Sequence, residues 1–321
     1  MESLLDTVRA SLPQRHEQVM IAVAKDGATA SKTYGAAAGA DGEIGSITKG
    51  LTGLLYAQAL ARDEIDSTTT LGDLLDLGDS PASALLLGDV AIHRSGLPRL
   101  PEFPKETSMR TRVKAMKRDG TDPYGDTLDE WLAFTRNTRL RRARFRYSNL
   151  GYSLLGHALA KAADKPYATL LDERVLRPVG MHDAYVAVTP SDLRASALGG
   201  KAKNGTSQSA WTGEGIAPAG MVRATASDLE ALVQGLAGIT ELPGADALEP
   251  QAKGQPPTQV GAAWMITPAR GRMVTWHNGM TGGFASFVGA DRDAGIAVGI
   301  MTAVAADVTH YGFKAIDSVL A

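Results

Sequence analysis

The sequence contains no cysteine, and it contains no run of about 18 consecutive apolar residues. The absence of cysteine excludes disulfide bonds, thiol nucleophiles and thiolate metal ligands. The absence of a long apolar run predicts no membrane-spanning helix, and we expect no membrane partner. The histidines are scattered along the chain, and none has the spacing of a metal-ligand pair. We therefore expect no metal and no cofactor.

A large excess of one charge is also absent, because the formal net charge is −2. The sequence thus lacks the basic character of a nucleic-acid-binding domain, and no nucleic acid partner is expected. Residues 101–146 are the exception, since they contain 12 Lys or Arg and 7 Asp or Glu. A solvated helical surface is the simpler interpretation of this segment. The alternative is a surface that steers an anionic substrate.

The N-terminal segment alternates charged with apolar residues at helical spacing. It lacks the basic region and the apolar region of a signal peptide. We therefore expect a cytoplasmic location, and a removed leader is left open. The oligomeric state does not follow from the sequence.

Strand patterns lie at both ends of the chain, and helical patterns lie in the middle. A hairpin is predicted over residues 19–37. Helices are predicted at 4–16, 46–62, 128–134, 152–163, 225–236 and 307–320. Later strands are predicted at 260–266, 273–277, 283–290 and 296–302. Residues 99–127, 188–222 and 239–259 are predicted to be loops. We expect an α/β (α+β) fold, with an antiparallel sheet built from both ends and flanked by helices. The sheet domain comprises residues 1–62 and 186–321, and 63–185 form an inserted, mostly helical domain.

Gly45-Ser46-Ile47-Thr48-Lys49 places a hydroxyl and an amine one helical turn apart, at the start of an apolar run. A desolvated lysine is neutral and can remove the proton that makes serine a weak nucleophile. The backbone N–H of Ser46 can also donate to an oxyanion. This pattern indicates acyl transfer. The alternative is that Ser46 is only the N-cap of the helix.

Two further segments carry polar groups where a second helix and two strands begin or end. Tyr147-Ser148-Asn149 precedes a long apolar helix, and the tyrosine can accept a proton if a neighbouring ammonium lowers its pKa. The alternative is a core tyrosine followed by an asparagine N-cap. The segment 276–284 contains three glycines between two predicted strands. Such glycines indicate either close approach of the backbone to a substrate or a β-bulge.

The combination of S-x-x-K, Y-x-N and H-x-G resembles the serine β-lactamase and penicillin-binding-protein superfamily. The tyrosine variant is similar to the branch of class C β-lactamases, with its D-aminopeptidase, DD-peptidase, esterase and transacylase relatives. The class A relatives instead have S-D-N and K-T-G. The resemblance spans about residues 17–320 and implies a β-lactamase/transpeptidase-like fold with the active site between the two domains.

The resemblance implies a role for each matching residue. Ser46 matches the nucleophile that forms the acyl-enzyme, and Lys49 matches its base or proton relay. Tyr147 matches the partner base that protonates the leaving group. Asn149 matches the amide that orients the substrate and the lysine.

The third motif supplies the other side of the implied site. His277 matches the position where β-lactamases have lysine, and Gly279 lets the strand approach the substrate. The oxyanion hole would comprise the backbone N–H groups of Ser46 and Met280. A histidine is mostly neutral at pH 7, which favours an ester or amide that lacks the carboxylate of a β-lactam.

We therefore expect a serine hydrolase that acts on an ester or amide of a small molecule or peptide, with weak or no β-lactamase activity. One alternative is an acyltransferase, or transacylase, that uses the same acyl-enzyme in small-molecule tailoring. A second alternative is a catalytically silent binding protein on this fold. The acyl group, the leaving group and the acceptor do not follow from the sequence.

Overall fold

The computed structural model of the protein describes residues 1–320. Its strands, in chain order, are β1 Val19–Lys25, β2 Ala28–Tyr34, β3 Gly42–Glu43, β4 Tyr185–Val186, β5 Gly200–Ala202, β6 Ser207–Gln208, β7 Val222–Ala224, β8 Ala252–Lys253, β9 Gln259–Val260, β10 Met265–Ala269, β11 Arg272–Met280, β12 Ala285–Asp291, β13 Ile296–Thr302 and β14 Val304–Ala305. Its α-helices are α1 Glu2–Ser11, α2 Ile47–Ala61, α3 Leu71–Leu74, α4 Leu87–Ala91, α5 Met109–Asp119, α6 Leu128–Arg136, α7 Asn149–Ala162, α8 Tyr167–Leu171, α9 Arg177–Val179, α10 Ala217–Gly220, α11 Ala226–Leu236 and α12 Thr309–Leu320.

Strands from both ends of the chain form one antiparallel sheet in the order β2-β1-β13-β12-β11-β10-β9-β8. The predicted hairpin of β1 and β2 is present, and β1 also pairs with β13. Two small sheets, β3-β7-β4 and β14-β5-β6, lie beside it. The predicted fold class, with helices flanking an antiparallel sheet built from both ends, is confirmed.

The large sheet separates two buried clusters because strand side chains alternate between its faces. Val19, Ile21 and Val23 of β1 belong to a cluster with apolar residues of α1 and α12. Met20 and Ala22 point to the other face, into the main core that contains α2, α7 and α11. Helix α2 therefore packs on the face of the sheet that carries Met20 and Ala22.

Helix α2 lies in this main core, and its residues Ile47–Ala59 are all buried. A Cβ at Gly50 would lie 2.7 Å from the ring of Trp264, and one at Gly53 would lie 2.2 Å from the carbonyl oxygen of Ala262. The absence of a side chain at both positions permits close packing. They let α2 lie directly against the segment that connects β9 to β10.

The middle of the chain, between α2 and β4, contains helices and connecting loops in the described residues. The main buried cluster includes Leu71 and Leu154 from this part together with Leu51 and Leu229 from outside it. The division into domains at residues 62 and 186 therefore stays a prediction. No helix in residues 1–320 has both the length and the apolar character needed to cross a membrane.

The prediction of a loop over residues 99–127 is wrong, because α5 occupies Met109–Asp119. This helix has no fully buried residue, and only Met109, Val113 and Met116 recur at helical spacing among polar and basic residues. The residues at its two ends also indicate a helix. The side chain of Ser108 accepts a hydrogen bond from the Thr111 N–H, and Gly120 ends the helix with a φ of 71°.

Two other predicted boundaries are also wrong. The predicted strand over 260–266 is interrupted between β9 and β10, where Ala263 has a φ of 68°. Such a backbone conformation ends regular strand geometry. The predicted helix over 4–16 ends at Ser11, because Leu12 is extended, as residues that precede proline usually are.

Candidate active site

Ser46 stands at the start of α2, directly after the turn at Gly45. It occupies the N-cap position, but its side chain makes no capping hydrogen bond. Its Oγ instead lies 3.0 Å from Nζ of Lys49. The interpretation of Ser46 as only a helix cap is therefore wrong, since its hydroxyl faces the amine. The side chain of Ser46 remains partly accessible to solvent.

Lys49 is completely buried, and its Nζ also donates to the carbonyl oxygen of Ala219 at 2.6 Å. That carbonyl belongs to α10, a short helix whose role could not be recognised from the sequence. Burial, and to a smaller extent the charge of Arg99, holds the pKa of Lys49 well below its usual value. No carboxylate in residues 1–320 forms an ion pair with it. The site therefore favours a neutral amine beside the Ser46 hydroxyl.

Tyr147 lies directly before α7, and its ring is close to the same amine. Nζ of Lys49 is 5.0 Å from the ring centroid. Burial raises the pKa of Tyr147 to about 12, although the side chain of Ser46 and the charge of Arg99 oppose this shift. The sequence allowed Tyr147 to accept a proton on the condition that a neighbouring ammonium lowers its pKa, and this condition is not met at rest, because burial raises the pKa of Tyr147 and lowers that of Lys49. The structure favours a neutral phenol beside a neutral amine.

Ser148 and Asn149 begin α7, and the structure assigns the cap to the serine. Oγ of Ser148 accepts a hydrogen bond from the Gly151 N–H at 2.8 Å, so the proposed asparagine N-cap is wrong. The Asn149 N–H donates to the carbonyl oxygen of Arg99 at 3.0 Å. Oδ1 of Asn149 is buried and has no hydrogen-bond partner among the described residues.

The imidazole of His93 packs against the ring of Tyr147. The two rings are 4.7 Å apart, and Tyr152 packs on the same imidazole at 4.8 Å. Nδ1 of His93 accepts a hydrogen bond from the Ser148 N–H at 3.2 Å. Burial holds the pKa of His93 well below its usual value. These contacts give His93 a structural role, because they fix both the tyrosine and the start of α7.

His277 lies on β11 and faces the tyrosine, with ring centroids 6.3 Å apart. Its Nδ1 lies 2.7 Å from the carbonyl oxygen of Asn278, and its Nε2 is buried without a partner in residues 1–320. Burial, together with the charge of Lys49, lowers the pKa of His277 to about 3. The expected neutral imidazole therefore agrees with its environment. A Nδ1–H donor to Asn278 leaves Nε2 as an acceptor.

The end of β11 packs directly on the chain that leads into Ser46. A Cβ at Gly279 would lie 2.0 Å from the carbonyl oxygen of Ile44, and one at Gly45 would lie 2.9 Å from the backbone nitrogen of Met280. The side chain of Met280 is 47% exposed. The backbone amides of Ser46 and Met280 therefore belong to two segments in direct contact. The glycine at 279 is required by this close approach, which is one of the two explanations that the sequence left open.

A buried ion cluster stabilises the segment that leads into Ser46, and the sequence did not reveal it. Arg223 on β7 donates from Nε to Oδ1 of Asp41 at 2.5 Å and from Nη1 to Oε1 of Glu43 at 3.3 Å. All three side chains are buried. Because Asp41 and Glu43 directly precede the turn into Ser46, the cluster fixes the position of the nucleophile candidate.

Other features of the structure do not join this site. No group of three or more His, Asp or Glu within residues 1–320 could hold a metal ion. A cavity of about 560 Å³ opens between α6, α7 and α8, and His157, Tyr167 and Glu214 are among its lining residues. None of the seven residues predicted from the sequence lines it. The structure brings all seven together at the junction of α2, α7 and β11, but their catalytic roles stay predictions.

The family model described as Beta-lactamase matches residues 6–318 of the chain. The chain belongs to the β-lactamase family. At this general level it is a serine hydrolase of the acyl-enzyme type, and the resemblance inferred from the three motifs is confirmed. No curated protein matches the chain at a significant level.

Solved structures of this β-lactamase fold superpose over nearly the whole chain. A class C β-lactamase from Rhodobacter sphaeroides has a TM-score of 0.79 at 18% identity, covering 99% of this chain and 98% of that one. A D-alanine carboxypeptidase from Burkholderia cenocepacia has a TM-score of 0.80 at 20% identity, covering 99% of each chain. An octameric penicillin-binding protein homologue from Pyrococcus abyssi has a TM-score of 0.81 at 20% identity, covering 99% of this chain and 76% of that one. At these identities the likeness establishes the fold.

Proposed function

We propose that the protein hydrolyses an ester or amide of a small molecule or peptide through an acyl-enzyme on Ser46. The observation that carries the proposal is the 3.0 Å separation between Oγ of Ser46 and Nζ of a fully buried lysine, Lys49. Burial favours the neutral amine, and a neutral amine has a lone pair that accepts a proton. A nucleophile and its base within hydrogen-bond distance are the central requirement of covalent catalysis.

In the first half of the reaction, Oγ of Ser46 attacks the substrate carbonyl and gives its proton to Nζ of Lys49. The backbone N–H groups of Ser46 and Met280 stabilise the negative charge that forms on the carbonyl oxygen. The hydroxyl of Tyr147 donates its proton to the leaving alcohol or amine, and the ammonium of Lys49 replaces that proton. The carbon–leaving group bond breaks, and the acyl group stays on Ser46.

In the second half, water attacks the acyl-enzyme and the same groups act in reverse. Tyr147 first passes its proton to Lys49. The phenolate of Tyr147 then accepts a proton from the attacking water as the ammonium of Lys49 protonates the departing Oγ of Ser46, which leaves both groups neutral as at the start. A phenol and an amine that are both neutral at rest can exchange one proton without a change in their total charge. The raised pKa of Tyr147 and the lowered pKa of Lys49 favour this neutral pair.

Asn149 and His277 bind the substrate in this proposal. Oδ1 of Asn149 is buried without a partner in the described chain, so a substrate N–H would satisfy it. His277 is neutral and fully enclosed, so it provides no positive charge for the carboxylate of a β-lactam. We therefore expect weak or no β-lactamase activity. Turnover of a cephalosporin faster than about 10 s⁻¹ would contradict this expectation.

Intact-protein mass spectrometry after brief exposure to a panel of acylating reagents tests the proposal. The panel contains a fluorophosphonate, a p-nitrophenyl ester, a penicillin and a D-alanyl peptide. Ser46→Ala removes the proposed nucleophile, and Ser318→Ala is the matched control at an exposed serine of α12. We expect a mass gain with the first two reagents that Ser46→Ala abolishes and Ser318→Ala preserves.

The outcomes separate the candidate functions. Adducts that form and then disappear in water indicate a hydrolase. An adduct that is stable in water but is released by an added amine or alcohol indicates the acyltransferase alternative. The absence of any adduct or turnover indicates a highly selective transferase or a silent binding protein, and a mass gain that persists in Ser46→Ala would show that another residue is the nucleophile.

A further inference from the structure

Arg99 is held at the mouth of the site by its own backbone. Its carbonyl oxygen accepts hydrogen bonds from the N–H groups of Asn149 at 3.0 Å and Leu150 at 3.1 Å. The preceding carbonyl, that of Pro98, accepts from Oγ of Ser148 at 2.6 Å. The first turn of α7 therefore fixes the main chain of Arg99 beside the tyrosine, and only its side chain is free to move.

The guanidinium of Arg99 points to the ring of Tyr147, with its Cζ 5.8 Å from the ring centroid. Its charge also reaches the interior, because it contributes to the lowered pKa of Lys49. The residue is exposed, and no carboxylate in residues 1–320 forms an ion pair with it. Arg99 is therefore an exposed cation without a counter-ion in residues 1–320, next to the group that is proposed to protonate the leaving group.

The acidic group of Asp122 forms no ion pair with this arginine. Asp122 and Arg99 both influence the pKa of Tyr124, and burial raises the pKa of Asp122 itself to about 7. However, Oδ1 of Asp122 accepts from the Tyr124 N–H at 2.9 Å, and its Oδ2 accepts from the Thr212 N–H at 2.8 Å. The carboxylate is thus bound to backbone amides of the chain, and the arginine is left for an external anion.

Neither Lys49 nor His277, the two basic side chains beside Ser46 and Tyr147, offers a competing cation. Burial lowers the pKa of both, so both favour the neutral form. Arginine presents a planar fork of donors that matches a carboxylate through two parallel hydrogen bonds. An anion that enters the cleft thus meets its complementary charge at Arg99 rather than at the β11 edge.

We propose that Arg99 binds a carboxylate of the substrate and selects anionic esters or amides for the Ser46 site. This inference rests on the proposed acyl-enzyme function and adds the substrate class. Arg99 acts as a specificity residue, because it holds the substrate and takes no part in the proton transfers.

Three esters test the inference: phenyl acetate, 3-acetoxybenzoate with a carboxylate on the leaving group, and monophenyl succinate with a carboxylate on the acyl group. The measured quantity is the ratio of kcat/KM for each anionic ester to kcat/KM for phenyl acetate, in which effects common to both substrates cancel. We expect Arg99→Gln to lower at least one ratio by about ten-fold or more, as loss of a charge-assisted hydrogen bond does. Arg99→Lys should retain part of the preference, and Arg9→Gln, at a distant surface of α1, should keep it.

A pair of boronic acids, phenylboronic acid and 3-carboxyphenylboronic acid, gives an equilibrium readout, since a serine nucleophile adds reversibly to boron. We expect tighter inhibition by the carboxylated compound in the wild-type protein and equal inhibition in Arg99→Gln. Equal inhibition already in the wild type, with no preference among the esters, overturns the role of Arg99 but leaves the nucleophile intact. Failure of every ester and both boronic acids instead overturns the proposed function itself.

Discussion

Gly279→Ala tests whether the close approach of β11 to the Ser46 turn sets the catalytic geometry. The new Cβ would lie 2.0 Å from the carbonyl oxygen of Ile44 and 2.4 Å from Oγ of Ser286, whereas ordinary contacts begin at 3.4 Å. The strand must therefore move away from Ile44 until the distance from the new Cβ to this carbonyl oxygen increases from 2.0 Å to 3.4 Å. This movement carries the Met280 amide away from Ser46. Loss of one oxyanion-hole donor typically lowers kcat by about 10²–10³-fold, or about 2.7–4 kcal/mol.

The assay is the burst of p-nitrophenol from p-nitrophenyl acetate in a stopped-flow instrument, which isolates the acylation step. Gly199→Ala is the matched control, because a Cβ there meets no atom within 4 Å. Circular dichroism and the thermal midpoint establish that each variant is folded. A folded Gly279→Ala protein that acylates within about three-fold of Gly199→Ala would refute the reasoning, since an effect of 10² or more is expected.

Further expectations concern the base, the titrating groups and the buried ions. Lys49→Met should lower the acylation rate by about 10²–10⁴-fold in a protein that remains folded, as loss of a general base does. The kcat/KM value should fall as pH decreases through the lowered pKa of Lys49, and Arg99→Gln, by removing a nearby charge, should shift this acidic limb to higher pH in a pH–rate profile. Burial lowers the pKa of His277 to about 3 and that of His16 to about 4, from 6.5. Below pH 6.5 the unfolded chain therefore binds protons that the folded chain does not, so urea titrations should show the free energy of unfolding decreasing as pH falls from about 6.5 toward 4. Arg223→Met should lower the free energy of unfolding by about 3–5 kcal/mol, because it leaves two carboxylates buried without their cation.

The sequence was most informative where structure and chemistry depend on local pattern. The hairpin of β1 and β2 and the helix after Ser46 follow from apolar periodicity and turn residues, and the structure contains both. Helix α5 was missed because none of its residues is fully buried and its apolar face is narrow, with only Met109, Val113 and Met116 at helical spacing. Its cap residues, Ser108 and Gly120, were further local signals, but the prolines before Ser108 favoured a loop.

The candidate site was predictable in its members but not in its electrostatics. Ser46, Tyr147 and His277 stand in recognisable motifs, and each motif lies at the end of an element that reaches the same cleft. The direction of a pKa shift depends instead on burial and on neighbours distant in sequence. The Ala219 carbonyl that binds Lys49 is 170 residues away from it in the chain, and no local pattern indicates such a partner.

The environments of these residues suggest why histidine rather than lysine follows the tryptophan in β11. Lys49, His93 and His277 are buried and Tyr147 is partly buried, and burial favours the neutral form of each. A second lysine at position 277 would place an ammonium beside Lys49, in a region that already disfavours charge. With histidine there, full charge arises in the inner site only as the reaction proceeds, when aligned donors stabilise it most effectively. The permanent positive charge lies instead on Arg99 beside Tyr147, where water and an anionic substrate can both reach it. In His277→Lys, two amines would lie close together and would not both be charged in this buried region. We therefore expect this variant to bind an anion at β11 only when the new lysine carries the charge, which lowers the pKa of Lys49 further.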